Sequence, residues 1–401
     1  MRNLTKLKMM ILCLMLLGMS SCMKDDFLES RSEVLIEVNK SSLQGEYKLN
    51  NVRITLQETN TEVTTAATLV EGADTAKTTL AYGTYTATLD GDIVIKVGDK
   101  DKAMKIKARK EGIVVNAANT SISLETFLSD PTANFVFKEI FFTGTSTEAG
   151  KLYNGDKYFI LHNNSSDTLY ADGLFIAQSD FLTVNRRNYT PDVMKDAFTS
   201  KQIIMIPGTG RQHPVAPGDD LIIANNAIDH TQVNPKSFDL SKADFEIELI
   251  GTINIDNPSV PNAINVSGNL LMHNNGHQSY VMGRFPEGVT IEKFKAENAY
   301  SYSYIAESGR EMKFDSFKIP NSYITDAVNV SAKTTFAWLV TDSSLDMGWT
   351  YASQALGDDT RFGKSVIRKS IGNLENGKPY LKDTNNSTED FIPSSKALLL
   401  P

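Results

Sequence analysis

Residues 137–176 read FKEIFFTGTSTEAGKLYNGDKYFILHNNSSDTLYADGLFI, and their patterning decides the fold class. Between Lys157 and Asn163 the side chains alternate. Tyr158, Ile160 and His162 share one face, while Phe159 and Leu161 share the other, the period of two of a strand. The polar run Asn163-Asn164-Ser165-Ser166-Asp167 suits a chain reversal before Leu169 and Tyr170. Asp172-Gly173 suits a second turn, into Leu174-Phe175-Ile176. The expectation is a half-buried β-hairpin followed by a third strand.

Further pieces of the same kind lie downstream. Met205-Ile206-Pro207-Gly208 and the Val215 to Asn225 run both place Pro-Gly near an apolar stretch. Another stretch ends in Asp326-Ala327-Val328. Gly363-Lys364-Ser365-Val366-Ile367-Arg368-Lys369 has a central arginine, and the Ser/Asn-rich Asp383-Thr384-Asn385-Asn386-Ser387 follows it. Together with the opening hairpin, these pieces resemble the lamin-tail domain, an immunoglobulin-like β-sandwich; Leu174 stands where that domain usually has Trp after the turn glycine. The resemblance implies that residues 132–401 form a lamin-tail-like β-sandwich with insertions. One insertion, Thr190-Pro191-Asp192 followed by Val193, Met194, Ala197 and Phe198, reads as a short helix with Thr190 as N-cap.

Residues 32–128 read as a separate small β-sandwich. Val52, Ile54 and Leu56 alternate with Arg53, Thr55 and Gln57. The segment LAYGTYTATLDG (80–91) predicts a strand that turns at Asp90-Gly91 into Ile93-Val94-Ile95, with further strands at Met104 to Ala108 and Ile113 to Val115. That segment resembles carboxypeptidase-regulatory or transthyretin-like modules, which implies a spacer or docking role. The expected class is therefore mostly β, a small N-terminal sandwich before a larger one, with few short helices.

Bulk properties narrow the function. A chain of 401 residues exceeds the size at which single cores usually divide. Its net charge is −8, and loss of residues 1–21, whose charged members are Arg2, Lys6 and Lys8, would bring it to −11. Such acidity argues against nucleic acid as a partner. The two cysteines, Cys13 and Cys22, both precede the predicted domains, so no disulfide, thiolate metal site or cysteine nucleophile is expected there.

The N-terminus carries the address. Arg2, Lys6 and Lys8 precede nine apolar residues, Met9 to Leu17, too few to span a bilayer but suited to a signal peptide over 1–21. Met19-Ser20-Ser21-Cys22 resembles the lipobox of bacterial lipoproteins, which implies diacylation of the Cys22 thiol. An ordinary cleaved signal is the alternative. Each buried acyl methylene contributes roughly 0.8 kcal/mol to anchoring. Residues 22–31 then form an acidic linker, in which Lys24-Asp25-Asp26 resembles the Bacteroidetes lipoprotein export signal. That resemblance implies an outer-membrane lipoprotein facing the cell exterior.

Chemistry-bearing residues are sparse. His273 and His277 flank Asn274-Asn275-Gly276, read as a hairpin tip, and two imidazoles across a tip could pinch a metal. Trp349, beside Gly348 in a loop, is a candidate for sugar stacking, whereas Trp338 in Phe336-Ala337-Trp338-Leu339-Val340 reads as core. Asp342 and Asp346 stand near Trp349, with Asp358 and Asp359 beyond, but lack the spacing of a calcium loop. Tyr300, Tyr302 and Tyr304 sit at strand spacing and read either as packing or as a ligand platform. No nucleophile elbow, phosphate loop or catalytic carboxylate pair stands out, and no cofactor is called for. The sequence thus points to a non-enzymatic, lipid-anchored binding protein for a small molecule or glycan, working with a TonB-dependent transporter. The alternatives are an adhesive or structural surface protein, and a hydrolase.

Overall fold

In the computed structural model the described residues are 30–401, apart from 41–42, 44–45, 70–72, 98–99, 130–133, 250 and 252–254. The signal segment, Cys22, Lys24, Asp25 and Asp26 lie outside the described residues. The N-terminal strands are β1 (Arg31–Asn39), β2 (Tyr47–Glu58), β3 (Thr64–Thr68), β4 (Thr75–Ala81), β5 (Gly83–Val97), β6 (Lys100–Val115), β7 (Asn119–Glu125) and β8 (Phe127–Ser129). They form two sheets, β4-β1-β7 and β3-β2-β5-β6-β8. Alternation along β1 turns Val34, Ile36 and Val38 inward, where they join a core with Ile54, Leu56 and Leu89.

Asp90-Gly91 does not turn the chain, contrary to expectation; it lies inside the 15-residue β5. Opposite it β2 shifts register between Asn50 and Arg53, with Asn51 at φ 53°. A Cβ on Gly91 would come 2.8 Å from the Val52 side chain. The glycine admits the bulging neighbour rather than making a bend.

The second body contains β9 (Phe135–Phe141), β10 (Tyr158–Asn163), β11 (Leu174–Gln178), β12 (Ala197–Ser200), β13 (Gln202–Met205), β14 (Asp220–Ala224), β15 (Phe245–Ile247), β16 (Asn262–Ser267), β17 (Tyr280–Arg284), α1 (Ile291–Asn298), β18 (Ala299–Ile305), β19 (Glu311–Pro320), β20 (Ile324–Val328), β21 (Lys364–Arg368), α2 (Ser387–Asp390) and β22 (Phe391–Lys396). Eleven of these strands pair in the order β20-β17-β11-β13-β16-β15-β14-β10-β9-β21-β22. The sheet folds over along β16, and Asp326 of β20 accepts the amide of Phe137 in β9 at 2.7 Å. Between the layers lie Phe137, Phe159, Leu161, Ile176, Ile204 and Met282. This is a β-sandwich, as the alternation along these strands predicts.

The opening hairpin is not formed. β10 pairs with β9 and β14, whereas Leu169-Tyr170 pairs with Pro214-Val215 and β11 joins the opposite layer between β13 and β17. The reason is burial on both faces. Phe159 and Leu161 face the inter-layer core, while Tyr158 and Ile160 pack with Phe141, Phe238 and Leu240. A strand so enclosed is central, and both of its edges are taken, by β9 and β14. The polar run after it is a crossover whose first three residues, Asn163, Asn164 and Ser165, are buried: Asn163 donates to the Val215 and Asp167 carbonyls at 2.8 Å, and Asn164 exchanges hydrogen bonds with the backbone of Leu381.

The predicted helix after Thr190 is also absent. One turn closes from the Ala197 amide to the Val193 carbonyl, and Ala197–Ser200 then enters the ladder to β19, which claims the residues a second helical turn would need. Helix forms instead at α1, where the Thr290 side chain accepts the Lys293 amide, and at the four-residue α2.

Arg368 closes the sandwich. Its side chain is 1% exposed. One terminal nitrogen reaches both oxygens of Asp326 at 2.7 and 2.8 Å, the other reaches Asp383 at 3.2 Å, and Nε donates to the Phe137 carbonyl. Asp390, from α2, stands 3.7 Å away.

Candidate functional site

The best-built depression lies beside the β18–β19 hairpin. Tyr302 is registered opposite Phe314, and Tyr300, Tyr302 and Tyr304 share one face of β18 by strand alternation. Facing them is the connection that follows β11. There Phe181 and Tyr189 stack at 3.7 Å, 11° from parallel, and Tyr302 meets both edge-on at 5.2 and 5.5 Å. Trp338 is buried against this cluster, and its indole N–H donates to the Leu182 carbonyl at 2.9 Å. Reciprocal backbone hydrogen bonds between Thr190 and Ser303, 2.8 and 2.9 Å, fasten the connection to the hairpin. The aromatic walls are thus held by packing and backbone pairing together.

A cleft of about 130 Å³ remains between these elements. Tyr189, Tyr302, Tyr304 and Phe314 supply rings, and Asp180, Asn185 and Arg187 supply polar groups. Drug-sized ligands usually occupy about 300–1,000 Å³, so this cleft suits a single small ring. Burial pushes the Tyr189 phenol up to about 12 and raises Tyr302 further, so both stay neutral and can donate hydrogen bonds at physiological pH. Asp180 accepts from the Ser316 hydroxyl at 2.6 Å and the Lys201 amide at 3.0 Å, and burial raises its carboxyl above the usual range. The Arg187 guanidinium stands 5.4 Å from the Tyr304 ring centre. A wider groove of about 330 Å³ borders the same hairpin near Tyr300 and Phe317, but the Tyr300 hydroxyl is already bonded to Thr199. The smaller cleft gathers four rings, Tyr189, Tyr302, Tyr304 and Phe314, against Tyr300 and Phe317 in the wider groove.

Of the residues singled out in the sequence, Tyr302 and Tyr304 line this cleft, whereas His273, His277, Asp342, Asp346 and Trp349 do not. Trp349 is half-buried and stacks on Phe336 at 4.4 Å and 5°, while Thr388 clamps its backbone on both sides. Asp342 accepts from the amide and hydroxyl of Ser344. Asp346 is fully buried and accepts the amides of Asn329, Gly348 and Ser387, the Asn329 side-chain amide and the Ser387 hydroxyl. Both aspartates are therefore engaged in holding loops. Asp180, Asn185, Arg187 and Tyr189 are not marked as site residues by any motif in the sequence. Their visible signal was an Arg-Arg-Asn-Tyr run (186–189) just after Phe181, which follows no strand or helix period.

His273 and His277 sit on a turn closed by the Gly276 amide and the His273 carbonyl, within the link from β16 to β17. Those strands do not pair with each other, so this is not a hairpin tip. The two rings stack at 4.4 Å and 24°. Lys157 Nζ and Arg361 Nε donate to the Met272 and Asn274 carbonyls on either side of His273. Burial, with the charges of His273 and Arg361, pushes His277 down to about 4, and burial also lowers His273. Among the described residues no group of three or more His, Cys, Asp or Glu is arranged to hold a metal ion.

A pH dependence follows. His277 titrates lower when folded than its ordinary 6.5, so its contribution to stability is complete above pH 6.5 and lost as pH falls toward 4. The stability gap between the native chain and His277→Gln is expected to narrow on acidification from pH 7.5 to 5, read by denaturant midpoints. Parallel curves would show that His277 is not held neutral by its surroundings.

Residues 216–398 match the family described as "Protein of unknown function (DUF4876)". The chain is also similar to the crystal structure of a DUF4876 family protein from Bacteroides thetaiotaomicron VPI-5482, at a TM-score of 0.58 and 21% identity, covering 92% of this chain and 96% of that one. None of the curated proteins compared matches the chain. These likenesses support a relationship to an uncharacterised Bacteroidetes family, and the structural one speaks to fold. The segment matched to DUF4876 contains the β18–β19 hairpin, while Asp180, Asn185, Arg187 and Tyr189 precede it.

Proposed function

We propose that this chain is a lipid-anchored, non-catalytic binding protein on the outer face of an outer membrane, which captures a small molecule or glycan and presents it to a TonB-dependent transporter. The observation that carries the proposal is the cleft of Tyr189, Tyr302, Tyr304 and Phe314 with Asp180, Asn185 and Arg187. Aromatic faces with a few fixed polar groups suit recognition, and among the described residues the lining holds no serine, cysteine or histidine to serve as a nucleophile or imidazole base. Cys22 would carry the acyl chains, and Lys24, Asp25 and Asp26 would direct export. On this reading residues 32–128 are a transthyretin-like spacer and residues 132–401 a lamin-tail-like binding body. The meeting of Asp326 with Arg368, from two of the motifs that carry that resemblance, supports it.

A thermal-shift screen of the purified chain against glycans, siderophores, haem and metals tests the binding role, because a ligand selective for the folded state raises Tm. At 100 times Kd the expected stabilisation is about 2.7 kcal/mol. The shift should vanish in Tyr304→Ala. A panel without effect, or a shift indifferent to Tyr304→Ala, would contradict capture in this cleft.

A further inference from the structure

Among the described residues, Arg187 is the one cation lining the cleft. Its side chain is 22% exposed, and a carboxylate, Glu307, already approaches it at 3.5 Å. Glu307 is 92% exposed, so the pair resembles the surface ion pairs worth about 0–1 kcal/mol and is readily exchanged for another carboxylate. A ligand carboxylate seated inside the cleft would gain a charge-assisted, two-pronged contact with the guanidinium in a less hydrated place.

The remaining groups define what carries that carboxylate. Asp180 and Asn185 offer hydrogen-bonding positions beside the rings, more than a flat aromatic acid could satisfy. Phenols kept neutral by burial can donate to further oxygens. Tyr304 and Phe314 stack 9° from parallel with centres 5.9 Å apart, and a ring face in the cleft suits the C–H face of a saturated ring. The volume of about 130 Å³ limits that ring to one.

We infer that the cleft takes a single carboxylated, hydroxyl-bearing sugar ring, a uronic-acid residue, with its carboxylate on Arg187 in place of Glu307. This rests on the reading of the cleft as the ligand site. It assigns Glu307 as an internal competitor that occupies the cation when the cleft is empty.

Calorimetric titration of the full chain with glucuronic acid and, separately, with glucose tests the inference. Glucuronic acid is expected to bind at least about tenfold more tightly than glucose, with the preference lost in Arg187→Gln and weakened by added salt. Glu307→Gln, at a solvent-exposed position, is expected to tighten glucuronic acid binding and leave glucose unchanged. Equal affinities for the two sugars, or indifference to both substitutions, would overturn the acidic-sugar assignment while leaving a ligand cleft. Binding of neither sugar, with another compound from the screen shifting Tm through Tyr304, would overturn the sugar class alone. No binding of any compound would overturn both readings.

Discussion

Replacing Arg368 with methionine is expected to destabilise the protein by about 3–5 kcal/mol, the usual cost of leaving a buried charge without its partner. Asp326 is buried, and its oxygens receive Arg368 at 2.7 and 2.8 Å and the Phe137 amide at 2.7 Å. Burial pushes its carboxyl up to about 7 even against the pull of Arg368, and the neighbouring Asp383 adds to the rise. Without the arginine it would take up a proton at neutral pH, and the Phe137 and Lys382 carbonyls would lose their donor. The guanidinium also lies 4.6 Å from the Phe391 ring centre, a contact that methionine keeps only in part. The effect should appear as a lower denaturant midpoint at unchanged slope. The double variant Arg368→Met, Asp326→Asn should cost less than the sum of the single ones, because the two residues share one interaction. A single-variant loss under about 1 kcal/mol would show that the pair does not hold the layers together.

The second large effect is expected at Asp346. Alanine there strands the buried amides of Asn329, Gly348 and Ser387, at about 1–3 kcal/mol for each donor that finds no water. The loop carrying Trp349 would come away from the 386–388 segment, which it approaches so closely that a Cβ on Gly348 would fall 2.0 Å from the Asn386 side chain. The consequence should be a fall in Tm of several degrees together with faster amide exchange in residues 342–351, seen by hydrogen–deuterium exchange. Asp346→Asn, which keeps one acceptor oxygen, should recover part of the loss. Unchanged exchange in that loop would count against this role.

Much of the fold is legible in the residues. Alternation in Val34-Ile36-Val38 and Val52-Ile54-Leu56 marks strands that the structure contains, because each buries one face on a single core. Pairing is not legible in the same way. Tyr158 to His162 has the pattern of a half-buried strand, yet segments far along the chain, Phe238 and Leu240 among them, cover its second face. Asn163 to Asp167 has turn composition, but the buried amides and hydroxyl of Asn163 and Ser165 hold a crossover. In both cases a local signal fixed the local conformation while distant partners fixed the place in the sheet.

The cleft divides along the same line. The Tyr300, Tyr302 and Tyr304 stripe is visible as a stripe: Tyr302 packs in the aromatic cluster and, with Tyr304, lines the cleft. Asp180, Asn185, Arg187 and Tyr189 come from an irregular segment with no periodicity, brought to the hairpin by the Thr190–Ser303 pairing more than 100 positions along the chain. Trp349 and the Asp342–Asp346 loop stand out in the sequence because tryptophan and clustered acids are chemically conspicuous. In the folded chain Phe336, Ser344 and Ser387 hold them.

Ring-selective NMR of tyrosine-labelled protein, titrated with glucuronic acid, addresses the cleft most directly. The account predicts saturable shifts in the Tyr189, Tyr302 and Tyr304 ring signals and none in Tyr351, which lies beside Trp349. Shifts centred on Tyr351, or none in the three cleft tyrosines with any ligand that raises Tm, would contradict it.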